Sequence, residues 1–140
     1  VTKIGSEAFW NTELTGLDLS KATSLVEIAA SAFSATDLEG TLVIPSRVTK
    51  IGSEAFWNTE LTGLDLSKAA SLVEIGELAF SATGLEGTLV IPAKLTKIGP
   101  YAFQYTKLAG LDLSDATSLV EIGDSAFWGT GLEGTLVIPA

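Results

Sequence analysis

The first 24 residues, Val1–Ser24, return almost letter for letter at Val48–Ser71 and in edited form at Leu95–Ser118. Between these copies stand three versions of a second, 23-residue segment, at Leu25–Arg47, Leu72–Lys94 and, one residue short, Leu119–Ala140. A double repeat of 47 residues restricts the chain to folds that stack one small unit on the next, because so small a unit cannot bury an apolar side alone. The expected domain is therefore one solenoid of six units, 1–24, 25–47, 48–71, 72–94, 95–118 and 119–140.

Aligned on one another, the units give complete apolar columns. Phe9, Phe33, Phe56, Phe80, Phe103 and Phe127 form one, each preceded by Ala. An aliphatic residue opens every unit, Ile follows three residues later, and two further Leu or Leu/Ile columns complete the set. Six such columns on a fixed period predict one continuous core running through the stack. The segments GLDLS and GTLVIP alternate inward and outward residues, which predicts strands. A Gly precedes each of them at one column, as a positive φ or a tight approach would require. GSEAFW reads as one or two helical or 3₁₀ turns, with Ser6, Ser53 and Asp124 as N-cap types and Pro100 suited to a first turn.

Two polar columns add constraints. Thr12, Thr36, Thr59, Thr83, Thr106 and Thr130 form a complete row in the apolar surroundings, and buried hydroxyls need partners. They predict a hydrogen-bonded ladder between units. Lys3, Glu27, Lys50, Glu74, Lys97 and Glu121 alternate in sign, which predicts an ion-pair ladder on the surface if neighbouring units lie about 4.8 Å apart.

IGSEAFWNTELTGLDLS followed by LVIPSRVTKIG resembles the BspA-like (Treponema pallidum-type) leucine-rich repeat, over the whole chain. The resemblance implies a right-handed α/β coil, with a parallel β-sheet on one face and short helical or 3₁₀ turns opposite. It also implies an extracellular or cell-surface protein used in adhesion and partner binding. Thr replaces the Cys or Asn common after the A-F turn, which removes thiol chemistry, and only the shorter unit keeps the family's I-P.

The residue inventory narrows the chemistry. With no His and no Cys, most catalytic triads, thiolate sites and transition-metal sites are out of reach. The glycines build no phosphate loop, and the carboxylates recur in columns as repeat properties, so the expectation is a non-enzyme without cofactor or metal. A net charge of −9 argues against nucleic acid and anionic membranes, and no apolar run is long enough to span a bilayer.

The candidate interaction surface consists of two sets. Asp18, Asp65 and Asp112 are expected to point outward, alternating with Val43, Val90 and Val137, at about 9–10 Å from one Asp to the next. They offer a face for partners or calcium, or are simply solvated strand residues. Trp10, Trp57 and Trp128 follow the core Phe and either meet glycans and proteins or cover the edge of the core.

No unit looks like a polar cap. The chain is thus expected to be a segment of a longer array, a subunit stacking head to tail, or a consensus-built repeat. The function expected first is a non-catalytic scaffold for protein or glycan contact that also self-associates end to end. A purely structural fibre subunit comes second and a carbohydrate-active enzyme a distant third.

Overall fold

The structure, a computed structural model, describes all residues 1–140. Strands are the regular elements of the chain. They are β1 (Lys3–Ile4), β2 (Glu27–Ile28), β3 (Glu39–Val43), β4 (Lys50–Ile51) and β5 (Glu60–Asp65). After them come β6 (Glu74–Ile75), β7 (Glu86–Val90), β8 (Lys97–Ile98), β9 (Lys107–Asp112) and β10 (Glu121–Ile122). The result is a parallel β-solenoid in which each repeat unit supplies one coil.

The six Lys-Ile or Glu-Ile strands form one parallel sheet in the order β1-β2-β4-β6-β8-β10. Each pairs with the strand one coil away, Ile on Ile and Lys on Glu, so the Ile side chains line the core. The longer strands form a second side of the coil as two parallel pairs, β3–β5 and β7–β9. Each of these pairs shifts register, at Gly40/Thr41 and at Gly87/Thr88, because the longer unit's strand carries one residue more at this point, Thr62 or Ala109, than its neighbour. On the shorter unit's strand, facing the extra residue, the chain turns at a glycine in the left-handed region, φ 77° at Gly40 and 74° at Gly87. The matching Gly63 and Gly110 do a different job. A Cβ there would come within 2.5 and 2.6 Å of the Thr41 and Thr88 hydroxyls, so those positions let two strands approach.

The third side corrects an expectation. The GSEAFW segments contain no helix and run as successive turns. The third residue of each is left-handed, Glu7, Ser31, Glu54, Leu78, Tyr101 or Ser125, at φ 54–58°. Hydrogen bonding explains the choice. The N–H groups of Glu54, Phe56 and Asn58 donate to the carbonyls of Glu77, Ala79 and Ser81 in the next coil, at 2.8–3.0 Å. Those of Ala55 and Trp57 close local turns on Gly52 and Glu54. A helix would have turned all of these donors back on its own segment and left the coils unlinked on this side.

Inside, the Phe column forms one stack. Adjacent rings lie 5.1–5.5 Å apart with planes within 10° of parallel, from Phe9 through Phe127. Phe33, Phe56, Phe80 and Phe103 are fully buried. Burying such a ring contributes roughly 1.5–3 kcal/mol, and a stacked aromatic pair roughly 0.5–1.5 kcal/mol beyond that.

The Thr row also departs from expectation. Thr36, Thr59 and Thr83 donate to the carbonyl of the Phe three residues earlier in their own coil, at 2.8–3.1 Å. Thr12 does the same, while the Thr130 hydroxyl accepts from the Leu132 N–H and the buried Thr106 hydroxyl has no partner. The hydroxyls thus close the turn within a coil, because the carbonyl that ends the turn lies nearer than any neighbouring Thr. No ladder between units forms.

Candidate interaction surface

The long strands β5 and β9 end in Asp65 and Asp112, and Asp18 holds the same column in the first coil, which forms no strand there. Register places Asp65 beside Val43 and Asp112 beside Val90, so carboxylate and aliphatic side chains alternate from coil to coil. Asp18 is exposed, Asp65 and Asp112 are half-buried, and Val43 and Val90 expose 38% and 46% of their surface. Every Asp is also a local cap. Oδ1 of Asp18, Asp65 and Asp112 accepts from the backbone N–H of Ser20, Ser67 and Ser114, at 2.8–2.9 Å, and this fixes the turn that follows, which at Asp65 and Asp112 ends a strand. Hydrogen bonds from the same Ser side chain and then its N–H hold each carboxyl below its ordinary value. These Asp residues therefore stay ionised at neutral pH while keeping acceptor capacity free.

Beside each Asp the surface dips. Leu17, Asp18, Thr41, Val43 and Pro45 help to line a cleft of about 610 Å³. Its equivalent two coils on, about 750 Å³, is lined by Leu64, Asp65, Thr88, Val90 and Pro92 among others. A third, about 540 Å³, includes Asp112, Thr135, Val137 and Pro139. One cleft is thus repeated with the 47-residue period. No three acidic side chains converge on a point that would hold a metal ion, since successive Asp residues are two coils apart.

The Trp residues occupy another place. Trp57 precedes β5 and Asp65 ends it, so a whole six-residue strand, about 20 Å at some 3.3 Å per residue, separates them. Trp10 and Trp128 are more than half exposed and Trp57 is half-buried. The same column in the other coils holds the buried Ser34, Ser81 and Gln104, with the Ser81 hydroxyl donating to Gln104 Oε1 at 3.3 Å. Where Trp gives way to Gln104, an aromatic residue returns one position later, and Tyr105 packs against Trp128 at 5.0 Å. The Asp and Trp sets therefore form two separate surfaces.

The clefts escaped the sequence reading. Their signal was present in the columns of Thr41/Thr88/Thr135 and Pro45/Pro92/Pro139, which flank the Val column at alternate positions. On the opposite sheet the alternating charges are in register, and Lys3 and Glu27 close to 3.2 Å.

The chain was compared with known proteins. The family profile described as the BspA type leucine rich repeat region matches in six copies over residues 2–135. No curated protein sequence matches. Among solved structures the chain is similar to the pneumococcal vaccine antigen PcpA, with TM-score 0.70 and 24% identity, over 82% of this chain and 29% of that one. It is also similar to a leucine-rich repeat protein from Bacteroides ovatus, with TM-score 0.46 and 21% identity, over 95% of this chain and 52% of that one. The chain spans less than a third of the PcpA chain and about half of the Bacteroides one, and no helix in it is long and apolar enough to cross a membrane. Six profile matches over a solenoid of six stacked coils make this chain a member of the BspA-type leucine-rich-repeat family.

Proposed function

We propose that the chain is a non-catalytic scaffold, extracellular or on the cell surface, that binds other proteins or glycans in adhesion and associates end to end with its own kind. One observation carries this reading: an outward cleft repeated three times at fixed spacing on a rigid stack, as suits a partner met at several points at once. The family and the likeness in fold to a pneumococcal antigen support a surface location. Binding of the purified chain to a glycan array and to intact cells tests it. Retention that falls on Trp10→Ala and Trp57→Ala, or on changes at the Asp row, supports the scaffold. Absence of binding to either support, or polysaccharide hydrolysis lost on one carboxylate change, overturns it.

The fibre reading draws on a different observation. A shorter unit is followed by a longer one at Arg47/Val48 and again at Lys94/Leu95. The same joint would set a 1–24 coil of another copy on the 119–140 coil. Lys3 would then face Glu121 as Lys50 faces Glu27, and Phe9 would lie on Phe127 as Phe56 lies on Phe33. A head-to-tail contact that does not close generates filaments. Sedimentation that rises with concentration and is abolished by Glu121→Lys supports it, and a monomer at all concentrations overturns it.

A further inference from the structure

We infer that the short-strand sheet is a contact face for a second copy of this chain, docked face to face with its stack running the opposite way. The pairing uses a side of the coil that end-to-end association leaves free, and so goes beyond that reading. Charge sign selects both the occupant and its direction. The row Lys3, Glu27, Lys50, Glu74, Lys97 and Glu121 changes sign at every coil of one continuous sheet. A two-fold axis parallel to the strands, between β4 and β6, sets Lys50 on Glu74 of the second copy. The same axis sets Glu27 on Lys97 and Lys3 on Glu121, because coils related by it always differ by an odd number. A two-fold axis along the stack would instead lay each coil on its own counterpart, Lys on Lys and Glu on Glu. The sheet therefore complements itself in one orientation and repels itself in the other.

The charges are free for this use. Lys3 and Glu27 pair at 3.2 Å, but no other neighbours in the row come within 4.0 Å of each other. Lys50 and Glu121 are exposed, and Glu74 and Lys97 are half-buried. The row borders a trough of about 460 Å³, lined also by Ser53 and Glu77, which long side chains of a second copy can enter. On the other flank, the residue before each strand alternates between Thr and Val. The Thr49 and Thr96 hydroxyls are engaged by the carbonyls of Val26 and Val73, at 3.3 and 3.1 Å, which leaves their methyls for a partner. Val73 is 41% exposed, and the axis lays it on Thr49 of the second copy, so an apolar strip runs beside the charges. A face six coils long and some five residues wide, roughly 30 by 20 Å, buries on the order of 1,200 Å² over both copies. That is the lower end of specific interfaces, so the pair forms and parts with concentration.

The test compares the intact chain with a variant whose row is inverted throughout, K3E, E27K, K50E, E74K, K97E and E121K. Inversion keeps the alternation within a chain and the match between two inverted copies, but sets like charges together in a mixed pair. Energy transfer between N-terminally labelled chains is expected to show parent pairs and inverted pairs, with mixed pairs about tenfold rarer. Raising the salt should weaken both kinds of pair. Should the inverted chain fail to fold, two single-cysteine chains, Ser53→Cys and Glu77→Cys, decide instead. Both positions are exposed and off the charged row, and the axis sets one on the other. A short thiol cross-linker is expected to join the two chains at low salt and to fail at high salt. Free mixing of parent and inverted chains overturns the pairing, as does a monomer at every concentration. Chains that associate yet give no link between positions 53 and 77 are stacking by their ends, which overturns the face-to-face pair and keeps the end-to-end reading. A link formed by chains that never exceed a dimer supports the pair and removes the end-to-end reading.

Discussion

Phe33 and Phe56 stack face to face across a coil boundary, ring centroids 5.3 Å apart and planes 8° from parallel, and neither ring touches water. Each coil's core is thus completed by its neighbours' rings. Phe56→Ala is expected to cost about 3–5 kcal/mol, because it removes a buried ring with a partner on both faces. Phe9→Ala should cost far less, since that ring is 41% exposed and stacks on one side only. Denaturant unfolding of the two variants checks the ranking, and equal losses would sink the idea that stacking links the coils.

The two glycine columns should respond differently to repair. Gly63→Ala drives a methyl against Thr41, at a cost of about 1–3 kcal/mol, and Thr41→Ala in the same chain should restore most of it. Gly40→Ala meets nothing within 4 Å and suffers only from its φ of 77°. It should lose about 1–2 kcal/mol that no neighbouring change recovers. A double-mutant cycle decides.

The Asp caps make stability sensitive to acid. Their carboxyls titrate below the ordinary value of 3.8 in the folded chain, so the stabilisation is complete above that value and is lost as pH falls through the lower folded values. The melting temperature is expected to drop on acidification from about pH 5 to 2 more steeply in the parent than in a combined D18N, D65N and D112N variant, whose caps do not titrate. Parallel curves would show that the caps carry no linkage.

Reversing one charge in the short-strand sheet tests its pattern. Lys50→Glu leaves Glu between Glu27 and Glu74 on the adjoining strands. The expected loss is on the order of 1 kcal/mol at low salt, and it should shrink as ionic strength rises. A loss independent of salt would point to packing of the Lys stem instead.

The apolar columns and the long strands of the four inner coils were legible in the sequence because a residue repeated every coil meets the same neighbours there, whereas Gly16–Ser20 and Gly134–Pro139, in the coils with a neighbour on one side only, form no strand. The short-strand sheet was legible only through its charges, as two residues are too few for an alternation to register. The turns were not legible. Leu78 and Tyr101 sit at φ 58° and 57° although neither residue type marks the left-handed region, and the hydrogen bonds between coils, not local preference, put them there. The direction of the Thr hydroxyls escaped for a related reason. A column shows that a polar group recurs, but not whether it bonds along the stack or within its own turn. The Asp residues were expected on the outer face, whereas their service as strand-ending caps depends on the Ser two positions on.

The strands of long and short coils differ by the residue absorbed opposite Gly40/Thr41, Thr62 in the long coil, and the coils differ by the sign of the charge at their head. Excising Val48–Ser71 alone would bring Glu27 beside Glu74 and set the two five-residue strands β3 and β7 side by side. Removing Val48–Lys94 would leave every junction as it was. The molecule has a parity, and lineages of such chains can gain or shed length smoothly only by even numbers of turns.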